Sequence, residues 1–208
     1  SLMLDDLKKA TLNADGIKWG YELYQTNKTA NTHNLITFFV ADDGIDIIDL
    51  QRYREATQTE CLIAINTTGK DYDCLKIADN VIDCLPNEIE LAIYSFACMG
   101  NGDGFMGIDW NDIRTAVYQR KSIKFIHCHA KGEDCVVVAC EKLISKLKVI
   151  KSDKALKSLM VSTFADDSFD FEKQYFITEK ISKISDVDEA NIFYQIIFTD
   201  EFLYWQHN

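Results

Sequence analysis

The chain has 208 residues, with 22 Lys and Arg against 33 Asp and Glu, for a net charge of −11 at pH 7. At 47% hydrophobic and 12% aromatic it holds the material of a folded core, which excludes a disordered coil. The acidic balance argues against a nucleic-acid partner, since binding to a phosphate backbone rests on clustered Lys and Arg, and no apolar run approaches the roughly 18–20 residues of a membrane span.

Residues 4–12 read as a short helix, ended by Asn13-Ala14-Asp15-Gly16. Ile17, Trp19, Tyr21 and Leu23 then alternate, which suggests a strand, with a helix through Gly20 left open. A polar loop covers 26–33. Residues 35–41 form a buried-strand pattern, 49–58 a helix, and 60–66 a second buried strand. Strand, helix and strand at this spacing make one βαβ unit with parallel strands.

Next, Leu75, Ala78, Ile82, Leu85, Ile89, Ile93 and Phe96 recur three or four residues apart. That stripe predicts one long helix over 72–98, kinked at Pro86. A glycine-rich break at 100–104 precedes a helix over 110–119. Strands at 123–128, 156–164 and 191–198 then alternate with helices at 133–147 and 169–184. The N-terminus lacks the basic-then-apolar pattern of a secretory signal. The seven cysteines, an odd number, sit mostly in apolar segments as reduced thiols do; a cytoplasmic location is the expectation.

Four of the nine glycines fall within residues 99–112. Gly102, Gly104 and Gly107 satisfy G-x-G-x-x-G, but a helical stripe precedes them and Asp103 and Asp109 would repel a pyrophosphate. Aligned as a calcium loop on Gly104, the same stretch puts Met99 and Trp110 where the strongest oxygen ligands belong. His127, Cys128, His129, Cys135 and Cys140 invite a zinc reading. On an alternating strand, however, His127 and His129 share a face that Cys128 does not, and both later cysteines lie on an apolar helix. A reduced core cluster is expected, and no metal is assigned.

Three motifs in order, Leu75-Lys-Ile-Ala-Asp-Asn-Val-Ile82, Gly104-Phe-Met-Gly-Ile-Asp-Trp-Asn-Asp112 and Ala130-Lys-Gly-Glu-Asp-Cys135, resemble the FtsZ/tubulin family. There a central helix leads into a loop G-x-x-N-x-D-x-x-D, a helix, a strand, and G-E-D opening the next helix. Met160-Val-Ser-Thr-Phe-Ala165 and Ala190-Asn-Ile-Phe-Tyr194 are similar to later strands of its C-terminal domain. The resemblance covers about residues 73–200. It implies an α/β fold: a reduced, Rossmann-like βαβ region over 1–71, a central connecting helix over 72–99, and a tubulin/FtsZ C-terminal-like α+β domain over 100–208.

The resemblance also implies roles. In the family the loop after the central helix enters the nucleotide pocket of the next subunit, and its acidic residues position the attacking water. Asp109 and Asp112 occupy the two aspartate positions, while Gly107 replaces the asparagine. Asp79 resembles the guanine-contacting position. The plainer readings stay open: Asp109 and Asp112 as helix N-cap and N3 residue, and Asp79 as a solvated polar side chain.

Upstream the chain departs from the family. Where a glycine-rich phosphate loop belongs, residues 41–49 hold one glycine and four carboxylates, Asp42, Asp43, Asp46 and Asp49. The expectation is therefore a degenerate FtsZ/tubulin-like protein acting by binding protein subunits, its own or those of an FtsZ-like polymer, with no cofactor and without GTP hydrolysis. The alternative is a divergent FtsZ-type GTPase, of cell division or filament formation, using GTP and magnesium.

Overall fold

The computed structural model describes residues 11–14, 17–25, 33–98, 108–117, 122–153, 155–188 and 191–198. The glycine run 99–107 and most of the helix read over 4–12 lie outside them. The chain divides into two compact units. The whole is mixed α/β, and among the described residues no helix is long and apolar enough to cross a membrane.

The first unit is built on a six-stranded sheet in chain order: β1 (Thr11–Ala14), β2 (Ile17–Leu23), β3 (His33–Val40), β4 (Cys61–Asn66), β5 (Asn80–Asp83) and β6 (Ser122–Lys124). β1 runs antiparallel to β2, and every later neighbour is parallel. Residues 11 and 12, read as a helix end, belong instead to β1. β3 and β4 are buried almost throughout, as the near-continuous apolar run of a strand covered on both faces requires. Helix α1 (Ile47–Ala56) connects them, completing the βαβ unit read from sequence.

Alternate side chains of β3 and β4 supply two cores. Phe39, Leu62 and Ala64 pack with Leu50 and Tyr53 of α1, with Tyr24, and with Tyr72 and Cys74. On β3 the opposite parity carries Phe38, whose ring meets Phe96 edge-on at 6.0 Å. Each fully buried Phe, Leu or Ile contributes roughly 1.5–3 kcal/mol. The first turn of β3 is fastened by side chains: Asn34 Nδ2 donates to Thr37 Oγ1 at 3.2 Å, Thr37 and Thr59 hydroxyls lie 2.6 Å apart, and Thr59 and Thr57 lie 2.7 Å apart. Thr57 Oγ1 donates to the Tyr53 carbonyl at the end of α1.

The single helix over 72–98 is not formed. Asp73–Ile77 is a 3-10 turn, residues 80–83 are β5, Pro86–Glu88 is a second 3-10 turn, and only α2 (Ile89–Ala97) is α-helical. The parallel ladder with β4, from Ile63↔Asn80 to Asn66↔Asp83, overrides the helical spacing. Pro86 opens a helical segment, where its missing N–H is harmless, and does not kink one. α2 buries Leu91, Ala92, Ile93, Phe96 and Ala97, whereas Ile89 at its start is half-buried.

The second unit holds residues 110–116 of α3 (Trp110–Val117), then α4 (Cys135–Asp153), β7 (Leu159–Ala165), α5 (Phe171–Ser185) and β8 (Ile192–Phe198). β7 and β8 form a two-stranded parallel sheet in register from Leu159↔Ile192 to Ala165↔Phe198, and α4 packs on α5. Lys151 of α4 donates to the Ile184 carbonyl at 2.9 Å and pairs with Asp186, which closes α5 in the left-handed region at φ 51°. Gly132 is at φ 95°, a conformation that favours glycine, in the turn that opens α4. Residues 125–128, read as the end of a strand, lie outside β6; Lys146 and Lys142 donate to the carbonyls of His127 (2.6 Å) and His129 (3.3 Å).

Candidate functional site

Open parallel sheets bind ligands outside the carboxyl ends of their strands, where loop amides face outward. In the first unit that edge carries the loops after β3 and β4. Six of its amides, those of Gly44, Ile48, Asp49, Thr68, Gly69 and Lys70, have side-chain acceptors of their own. After β3, Gly44 N donates to Asp42 Oδ1 at 2.6 Å. Asp46 is the N-cap of α1, its Oδ1 accepting from Ile48 N at 2.8 Å and Asp49 N at 3.3 Å. A carboxylate thus sits at the positive end of this helix, the position a phosphate would take. Asp42, Asp43, Asp46 and Asp49 are all exposed.

The loop after β4 is filled in the same way. Asn66 Oδ1 accepts from Thr68 N (3.2 Å) and Gly69 N (3.1 Å), and its Nδ2 donates to the Lys70 carbonyl at 3.0 Å. Gly69 is at φ 71°, which the turn requires. Thr68 Oγ1 accepts from Lys70 N and donates to the Tyr72 hydroxyl. Asn66 was not singled out in the sequence, although Asn closing a strand before Thr-Thr-Gly is the pattern of a side-chain-closed turn.

Asp79 is not on a helix. It lies just before β5, and one carboxylate oxygen accepts both from Leu62 N at 2.7 Å and from Arg54 at 2.8 Å. The pair is about one-third exposed, and it ties α1 to β4 and to the entry of β5. That is a structural assignment, and Arg54, twenty-five residues away, is a partner that sequence reading missed.

Asp109 and Asp112 form a reciprocal cap on α3. Asp112 N donates to Asp109 Oδ1 at 2.9 Å, and Asp109 N donates to Asp112 Oδ2 at 3.1 Å. Each bond uses one oxygen of its carboxylate, so the other oxygen is not part of the cap. Asp109 is exposed and Asp112 half-buried, while Ile108 and Ile113 beside them are buried. Gly104, Phe105, Met106 and Gly107, the rest of the loop motif, lie outside the described residues.

Five of the thiols are held as poor nucleophiles. Burial pushes Cys61 up to about 12, with Asp79 adding to the effect, and pushes Cys84 and Cys98 up to about 11. Cys74 and Cys140 are raised by the same cause. The His127 and His129 rings stack 5.5 Å apart. Among the described residues no group of three or more His, Cys, Asp or Glu side chains is arranged to hold a metal ion. Asp79, Asp109 and Asp112 therefore divide between the units, Asp79 in the first and the capping pair in the second. The chain matches no protein-family model and no curated protein.

Proposed function

We propose that the chain is a degenerate relative of FtsZ and tubulin that works in the cytoplasm by binding protein subunits, its own or those of an FtsZ-like polymer, without hydrolysing GTP. The observation that carries the nucleotide part is Asp46 at the N-terminus of α1, where its carboxylate takes the amides a phosphate needs. Any triphosphate must displace that carboxylate and approach Asp42, Asp43 and Asp49 as well. The filled turn at Asn66 supports the same reading from the neighbouring strand.

The subunit-binding part rests on the resemblance at residues 104–112 and on the chemistry of its described end. The order α3, β6, α4, β7, α5, β8 supports it, with Gly132-Glu133-Asp134 leading directly into α4. The carboxylates of Asp109 and Asp112 each keep an oxygen outside the cap, able to accept a proton from a water in a partner's site. Isothermal titration with GTP and magnesium tests the first part: no binding at micromolar nucleotide is expected. Micromolar affinity restores the GTPase reading. Co-sedimentation with a polymerising FtsZ-type protein tests the second, and a chain that stays in the supernatant with and without GTP refutes it.

A further inference from the structure

Against a net charge of −11, residues 142–157 carry six lysines and one acid, Asp153. Two of these converge with a third lysine, from α5. Lys148 and Lys151 near the end of α4 and Lys183 near the end of α5 line an open hollow of about 460 Å³ together with Ser152 and Ile184. Lys151 is fixed by the Ile184 carbonyl and Asp186, and Lys183 pairs with Glu179 on its own helix at 2.7 Å. Among the described residues Lys148 has no carboxylate partner, and Val149 beside it is 65% exposed. The hollow thus offers ammonium groups, a hydroxyl and apolar surface in one place.

We propose that this hollow binds a short acidic peptide segment of a partner protein, one that carries an apolar side chain among its carboxylates. Charge complementarity selects the sign of the ligand, and Ile184 in the lining selects its mixed character. Length is selected by the rest of the molecule. A long polyanion such as a nucleic acid runs beyond the hollow over a strongly acidic chain, whereas a segment of a few residues needs only the hollow itself, where two carboxylates, Asp186 and Glu179, already show that the lysines accept this chemistry. Lysine suits the role, because a flexible point charge takes carboxylates from several directions, and a surface pair such as Lys183–Glu179 is weak enough to be shared. This binding surface uses none of the residues 104–112 on which the proposed subunit contact rests.

The test uses the full chain and a fluorescein-labelled peptide, Glu-Glu-Leu-Glu-Glu-Leu-Glu-Glu, followed by polarisation at low salt. Saturable binding that weakens steeply as sodium chloride rises is expected. Lys148→Glu with Lys183→Glu should weaken it about tenfold, equivalent to about 1.4 kcal/mol. Lys131→Glu, an exposed lysine before α4, should leave it unchanged. Lys148→Ser alone, a change of one exposed side chain, should give a partial loss and keeps the test valid should the double variant not fold. Equal binding by the Lys148 and Lys183 variants, equal binding of the all-Gln peptide, or tighter binding of a single-stranded oligonucleotide would each overturn the proposal.

Discussion

Asp109 and Asp112 each receive the other's backbone N–H, at 2.9 and 3.1 Å, so the carboxylates that the resemblance marks for catalysis are also the two that start α3. The two roles use different oxygens and separate by substitution. Asp109→Ala should cost about 1 kcal/mol of stability through the lost cap. The paired change Asp109→Asn with Asp112→Asn keeps an acceptor at both positions and should leave the melting temperature nearly unchanged. Co-sedimentation with an FtsZ-type polymer that disappears in the Asn pair at unchanged stability supports docking, whereas binding retained in that pair leaves the carboxylates with the cap alone.

The replacement of one long helix by β5 and the short α2 makes a prediction about which isoleucine matters. Ile93 is fully buried on α2, and Ile93→Ala should cost about 2–5 kcal/mol in a denaturant titration. Ile89 is half-buried at the first position of α2. Ile89→Ala should cost less than Ile93→Ala, and an equal loss at both would point back to one continuous buried helix.

Removing the Asp79 carboxylate leaves Leu62 N–H and Arg54 without their shared acceptor. Asp79→Ala should destabilise by about 1–3 kcal/mol, and Asp79→Asn, which can still accept from Leu62, by less. Chemical denaturation of the three proteins in parallel reads the difference.

Cys61 sets an alkaline limit. Its thiol is raised in the folded state to about 12, against an ordinary value of 9.0. Below the unfolded value the thiol is neutral in both states and its contribution is fully present. As pH rises from there towards the folded value, only the unfolded chain ionises and stability falls. Cys61→Ala should flatten the slope of stability against pH above that range, and the native protein should label slowly at Cys61 with an alkylating agent at pH 8.

At the acid end the relevant group is Asp170. Its carboxyl is held below the usual carboxylate range chiefly by the Lys173 N–H it caps, at 2.9 Å. Its contribution is present above the ordinary value of 3.8 and is lost as pH falls through the lower folded value. Acidification should therefore expose the first turn of α5 to hydrogen exchange, and Asp170→Asn, a cap that does not titrate, should remove that dependence.

What was legible in the sequence was local or periodic. The apolar runs of β3 and β4 around α1 announce two buried parallel strands, and Asp109 followed by Asp112 announces a helix start. The stretch from Leu75 to Phe96 deceived because Ala78, Ile82 and Leu85 fall at helical spacing while Asn80, Val81 and Ile82 find a ladder on β4. No local signal distinguishes the two. Asp79 was illegible for the same reason, since Arg54 and Leu62 reach it from 25 and 17 residues away. Residues 125–130 look like a strand in composition, but lysines from α4 hold two of their carbonyls.

The buried hydroxyls at the foot of β3 carry one more consequence. Thr57 has a single hydroxyl proton, and the Tyr53 carbonyl takes it at 2.8 Å. Thr59 must then donate to Thr57, Thr37 to Thr59, and Asn34 to Thr37, so every proton in the relay points the same way. The sequence of dipoles begins at an amide on β3 and ends on the electronegative terminus of α1, so the junction aligns its polar groups with the dipole of the helix it closes.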